Sequence, residues 1–247
     1  MGRLAIAEAF VDQARLAETE GALHTLLADY CETMGIQWFA LVQHVDFSLN
    51  RPIGIRLHNY PSDWENWFDE NKLTSNDPVH RACHRTHIGF PWSAVPTMIR
   101  MTPADRSVLS LARIVGIGDG FTVPAHVPGE MHGSCSFAVK SGTSFPEDLH
   151  AVAYVVGSFA FEAARRLSRP HAIWPPSLSS LTGRQHDCVL WAARGKTDWE
   201  IAGILGISRE TVIQHLKLAR ERTGVHRRAM LAVRALFEGL ISFSDIF

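Results

Sequence analysis

Residues 197–224, TDWEIAGILGISRETVIQHLKLARERTG, constrain this chain more than any other stretch. Thr197 can cap a short helix whose first turn holds Asp198 and Glu200, where the helix dipole favours negative charge. Ile201, Ala202, Ile204 and Leu205 supply its apolar face. Gly206 permits a tight turn, Ile207 plugs the space between two helices, and Ser208 caps the next helix. Ala202 is small enough for the two helices to cross closely. This spacing predicts a helix-turn-helix, whose second helix is built to enter a DNA major groove. An αα-hairpin in an ordinary bundle would share the apolar pattern, but not the basic second helix.

Charge supports the nucleic-acid reading. The 247 residues are nearly neutral, with 24 Lys and Arg against 25 Asp and Glu. From residue 180 onward, however, ten basic residues face seven acidic ones, and the preceding body carries fourteen against eighteen. A mildly acidic body joined to a basic end module suits a DNA partner. Residues 169–180, RPHAIWPPSLSS, contain three prolines and three serines without apolar periodicity, which predicts a linker. The expected organisation is therefore a domain over 1–168, a linker over 169–180 and a second domain over 181–247.

The first domain mixes element types. Helical periodicity runs through 4–16, 20–34, 61–71, 77–86, 103–115 and 146–168, and strand patterns occupy 36–45, 52–58, 120–126 and 133–140. The expected fold class is α+β: an α/β/α sandwich around a central antiparallel sheet, followed by an all-α four-helix helix-turn-helix domain. The helix over 146–168 is apolar on more than one face, which predicts packing on the sheet and on a second subunit. The longest uncharged apolar run, Ala151 to Phe161, is well short of the roughly 20 residues of a membrane span. No signal-peptide pattern opens the chain, and four scattered cysteines give neither a disulfide framework nor a zinc finger. A cytoplasmic protein without a membrane partner is expected.

No catalytic constellation stands out. The sequence has no GxSxG, Walker loop or HExxH, so no enzymatic activity is expected. His80, Cys83, His84 and His87 would share one helix face, a spacing that can hold zinc, but no second cluster supports it. That stretch reads as a solvated basic helix, with no metal and no cofactor.

Two separate sets of residues resemble one family. In the C-terminal part, Leu181-Thr182, Trp191, Gly195-Lys196, Glu200-Ile201-Ala202, Ile207-Ser208, Thr211-Val212 and His215 closely resemble the DNA-binding domain of LuxR-type regulators. Gln185, Ile213 and Leu218 depart from that pattern, where Glu, Lys and Asn are common. In the N-terminal part, Tyr60, Trp64, Phe68, Asp77-Pro78 and Trp92 resemble the signal-binding domain of the same family. GIGDGFTVP over 116–124, with its Gly120, and Ser136 in GSCSFAV extend the likeness.

The resemblance implies a quorum-sensing transcription factor whose small-molecule ligand is an N-acyl homoserine lactone. It also implies a homodimer on an inverted repeat of double-stranded DNA, with RNA polymerase as a further partner. An orphan regulator that senses another small amphiphile, or none, is the alternative. The residue chemistry fits the lactone: Asp77 can accept from its amide N–H, Trp64 can donate to the lactone carbonyl, and Tyr60 with Ser136 can donate to the amide carbonyl. Phe68 and Trp92 would pack on the tail and ring. Glu65, an acceptor beside Trp64, disfavours a 3-oxo signal. On the second helix of the motif, Arg209, Thr211, Gln214, His215, Lys217 and Arg222 can face DNA, because Val212, Leu216 and Ala219 form the opposite stripe. Gln214 and Lys217 are the candidates for base edges, Thr211 and Arg222 for phosphates.

Overall fold

The computed structural model describes residues 2–45, 54–73, 76–128, 130–168 and 181–246. The linker expected over 169–180 lies outside these. Contacts divide the chain into two compact units, one built on residues 1–126 and 131–172, the other on 127–130 and 173–247.

The first unit is built on a five-stranded antiparallel sheet. Helices α1 (Arg3–Leu16) and α2 (Glu20–Met34) precede β1 (Trp38–Gln43) and β2 (Arg56–His58). Then come α3 (Ser62–Glu70), α4 (Pro78–Cys83), β3 (Phe90–Pro91), α5 (Val95–Met98) and α6 (Pro103–Ile114). Strands β4 (Ile117–Ala125) and β5 (Gly133–Lys140) lead into α7 (His150–Ser168). The strand order is β2-β1-β5-β4-β3.

Side chains alternate across a strand, so the register assigns each residue to a layer. Leu41 pairs with Cys135, which pairs with Val123, and all three join the core beneath α1, α2 and α7. The next row, Ala40, Ser136 and Thr122, points to the opposite layer, where α3 to α6 lie. Strand β5 is covered on both faces, which is why GSCSFAV carries no exposed residue.

Four details differ from the sequence expectations. The sequence also suggests a strand closed by Trp92 and Ser93, but the strand is only Phe90–Pro91, and Trp92–Ala94 forms a 3-10 turn. The long helix starts at His150, after a separate turn at Glu147–Leu149. Besides the sheet, α7 packs on α1 within the chain, a contact the periodicity did not indicate, and Arg166 ties the two by donating to Ala14 O and Ala17 O. Helix α4 stops at Cys83, short of the expected Thr86, whose hydroxyl instead accepts from Ile88 N in a local turn that competes with helix. His84 is therefore the C-cap and His87 lies beyond it, so the four-residue metal stripe does not form.

The second unit holds α8 (Gly183–Ala193), α9 (Asp198–Leu205), α10 (Arg209–Thr223), α11 (Arg228–Phe237) and a short α12 (Phe243–Ile246). Its core joins Cys188, Val189, Ile201, Val212, Leu216 and Leu231. Reciprocal capping boxes open α8, between Thr182 and Gln185, and α9, between Thr197 and Glu200. Gly206 closes α9 at φ +66°, in the left-handed region, and Ser208 caps α10 by accepting from Thr211 N. Among the described residues no helix is long and apolar enough to cross a membrane.

Candidate functional site

A cavity of about 830 Å³, counting its open mouth, lies in the first unit between the sheet and the α3–α6 layer. Tyr60, Trp64, Phe68, Asp77, Trp92 and Ser136 all line it. Fold elements bring them together from three directions. Helix α3 presents Trp64 and Phe68 one turn apart, with ring centroids 6.0 Å apart. Tyr60 precedes α3 and packs edge-on against Trp38. Asp77 is the N-cap of α4, and Ser136 rises from the centre of β5.

The polar atoms fall into two groups. Asp77 caps α4 through Oδ1 alone, which accepts from Val79 N at 2.8 Å and His80 N at 2.9 Å. Its Oδ2 takes no hydrogen bond among the described residues, and neither do the Trp64 indole N–H and the Tyr60 hydroxyl. Burial, and then the charge of Asp77, push the Tyr60 phenol well above its ordinary range, so it remains a donor. One acceptor and two donors therefore stand without protein partners on a single apolar cavity. All three open onto the cavity, so a ligand that displaces its solvent must match each of them or lose about 1–3 kcal/mol apiece.

Trp92 and Ser136 form the other group. The Trp92 indole donates to Thr122 Oγ1 at 2.8 Å, and Thr122 Oγ1 lies 2.8 Å from Ser136 Oγ. When Thr122 donates to Ser136, the Ser136 proton is free to point into the cavity. Thr122 was not singled out in the sequence. Its only signal was the alternation that places it beside Ser136 on the neighbouring strand.

Charged residues line another part of the wall. Arg56 Nη1 lies 2.8 Å from Asp69 Oδ2 and its Nη2 3.1 Å from Glu65 Oε1, while His58 Nε2 lies 3.3 Å from the same Glu65 oxygen. Burial lowers the His58 pKa, and the Glu65 charge opposes that shift. Glu65 is thus an acceptor already engaged by protein donors, and Arg56 brings a guanidinium to the cavity wall that the sequence did not reveal. Helix-local reading finds Glu65 and Asp69, but only β2 pairing delivers Arg56.

In the second unit, Arg209, Thr211, Gln214 and Lys217 stand exposed on α10, opposite the buried Val212, Leu216 and Ala219. Thr211 Oγ1 sits 3.0 Å from the capping Ser208 Oγ. His215 is half-buried, and its Nδ1 is buried without a partner. Arg222 behaves differently from the others. Its Nη1 donates to Gln185 Oε1 at 2.8 Å, joining α10 to the α8 cap. Among the described residues no group of three His, Cys, Asp or Glu side chains is arranged to hold a metal ion.

Comparison with known proteins agrees with both units. Residues 19–167 match the autoinducer binding domain, and residues 179–235 match the bacterial regulatory proteins of the luxR family. The chain is 32% identical over 184 residues to the quorum sensing-dependent transcriptional regulator RpaR of Rhodopseudomonas palustris, covering 74% of each protein. It is 25% identical over 233 residues to the transcriptional activator protein AhyR of Aeromonas hydrophila, covering 93% of this chain and 87% of that one. The crystal structure of Escherichia coli SdiA has the same fold, with a TM-score of 0.72 at 21% identity, over 96% of this chain and 98% of that one. An autoinducer-binding domain followed by a DNA-binding helix-turn-helix defines the class. The chain belongs to the LuxR family of transcriptional regulators.

Proposed function

We propose that this protein is a quorum-sensing transcription factor that binds an N-acyl homoserine lactone in the α3–α6 cavity. As a homodimer it reads an inverted repeat through α10, and it presents that promoter to RNA polymerase in the cytoplasm. Residues 1–168 sense the ligand and carry the dimer contact, 169–180 link, and 181–247 bind DNA. The observation that carries the reading is the unpaired trio of Tyr60 Oη, Trp64 Nε1 and Asp77 Oδ2 on one cavity. An acyl lactone offers one amide N–H and two carbonyls, which is the complementary count. Ser136 adds a second donor to the amide carbonyl, while Phe68 and Trp92 pack on the tail and the ring. On α10, Gln214 and Lys217 face base edges, and Arg209, Thr211 and His215 supply the surrounding contacts. Two-fold symmetry is needed because one such helix touches too few bases for tight specificity.

Thermal unfolding against acyl homoserine lactones of graded chain length tests the reading. A ligand at about a thousand times its Kd stabilises the folded state by about 4 kcal/mol, several degrees in Tm for a chain of this size. A maximum at one chain length is expected. A flat series, with DNA binding intact, would move the protein to the orphan regulators.

A further inference from the structure

We propose that the His80 ring is the stop against which the acyl tail ends, so that the signal carries a short chain of about six carbons. This rests on the acyl-lactone reading and adds to it the length of the tail.

The cavity has a polar end and a blind end. Tyr60, Trp64, Asp77 and Ser136 hold the polar atoms that meet the head of the ligand. With the lactone ring against Trp92, the tail runs the other way, along Val42, Phe68 and His80. The strand register measures that run. Ala40 pairs with Ser136, and the next residue on the same face of β1, Val42, pairs with Arg56 of β2 and Ser134 of β5. Same-face neighbours on a strand lie about 7 Å apart, which sets the Val42 row that far beyond Ser136.

At that row the cavity closes. Ser134 is fully buried and does not line the cavity. The His44 ring covers it, with Nε2 3.0 Å from Ser134 Oγ. His80 stacks on His44, with centroids 3.9 Å apart at 18°, and is itself part of the cavity lining. From α3, Phe68 meets the same His80 ring edge-on at 5.9 Å. A ring held between two others cannot swing aside for a longer tail without losing both contacts. Helix α4 gives a second measure of the distance. His80 follows the N-cap Asp77 by three residues, about 4.5 Å along the helix axis.

The flank between β2 and α3 offers an alkyl chain no exit. Arg56 spans it to Glu65 and Asp69, and His58 adds a contact to Glu65. Methylenes lodged among these groups would take water from charges without replacing a hydrogen bond.

An extended alkyl chain advances about 1.3 Å per carbon, so a run of about 5–7 Å holds roughly four or five carbons past the amide carbonyl. Counted with its carbonyl carbon, a hexanoyl chain fills that run. Each further methylene presses on a wall that is already packed. Removing the ring frees one stacking distance, 3.9 Å, which is room for about three more carbons.

The test is calorimetric titration of the full chain with unsubstituted homoserine lactones from butanoyl to dodecanoyl. The wild type should bind hexanoyl most tightly and decanoyl about tenfold more weakly or worse. His80→Ala should move the maximum to octanoyl or decanoyl, and His80→Phe, which restores a ring, should bring it back to hexanoyl. His80→Val, expected to shift the maximum in the same direction, serves if the alanine variant does not fold. A merely structural His80 would weaken every length alike and leave the maximum in place, which overturns the stop. A wild-type maximum at octanoyl or longer overturns the stop alone and leaves the ligand reading standing. Absence of binding by every lactone overturns the ligand reading, and the stop falls with it.

Discussion

A Cβ on Gly120 would stand 2.7 Å from the Trp92 indole and 2.6 Å from Phe137 O. Glycine at this position is what lets Trp92 lie flat on the sheet and donate to Thr122. Gly120→Ala must displace either a backbone carbonyl or the ring that lines the cavity. The expected cost is about 1–3 kcal/mol, read as a lower urea midpoint, with weaker lactone binding beside it. Wild-type values for both would show that Trp92 has room to spare.

Asp77→Asn separates the two roles of that residue. Asn caps helices about as well as Asp, so α4 and the Tm should change little. The carboxylate acceptor is lost, however, and lactone affinity should fall tenfold or more, about 1.4 kcal/mol per decade. An unchanged dose response, measured by titration with reporter expression alongside, would remove Asp77 as the amide anchor.

Trp64→Phe keeps the aromatic surface beside Phe68 and deletes the indole N–H that has no protein partner. Affinity for the lactone should drop by about 1–3 kcal/mol while the ligand-free Tm shifts much less. The same affinity in both chains would mean that the lactone carbonyl is satisfied elsewhere.

Exposed residues of α10 should respond in the opposite way. Gln214→Ala and Lys217→Ala are expected to abolish promoter binding and leave the ligand-induced Tm shift intact, because both side chains project from the second unit into solvent. A basic group of α10, such as Arg209 or Lys217, that contacts a phosphate should, on removal, reduce the slope of log K against log salt by about 0.9.

Arg222 should differ from its neighbours on α10. Gln185 is 3% exposed and serves both the α8 cap and the Arg222 guanidinium. Arg222→Ala is therefore expected to lower the stability of the chain without DNA by about 1–2 kcal/mol. A variant as stable as the wild type, defective only on DNA, would return Arg222 to the phosphate-contacting set.

Short-range chemistry explains what was legible in the amino-acid order. Periodicity of 3.6 or 2, capping residues such as Thr197, Thr182 and Ser208, and left-handed glycines such as Gly206 act within a few residues. The helix-turn-helix and most element positions could therefore be read without coordinates, and family resemblance pointed to Tyr60, Trp64, Phe68, Asp77, Trp92 and Ser136. Contacts between distant segments could not be read in this way. Tertiary structure alone decided that Thr122 bridges Trp92 and Ser136, that Arg56 takes Glu65 and Asp69, and that Arg222 turns back to Gln185. It also gathered His84 with His126 and His132. The reason is physical: strand register and layer packing fix which residues meet, and both are set by the burial of the whole sheet rather than by any local pattern.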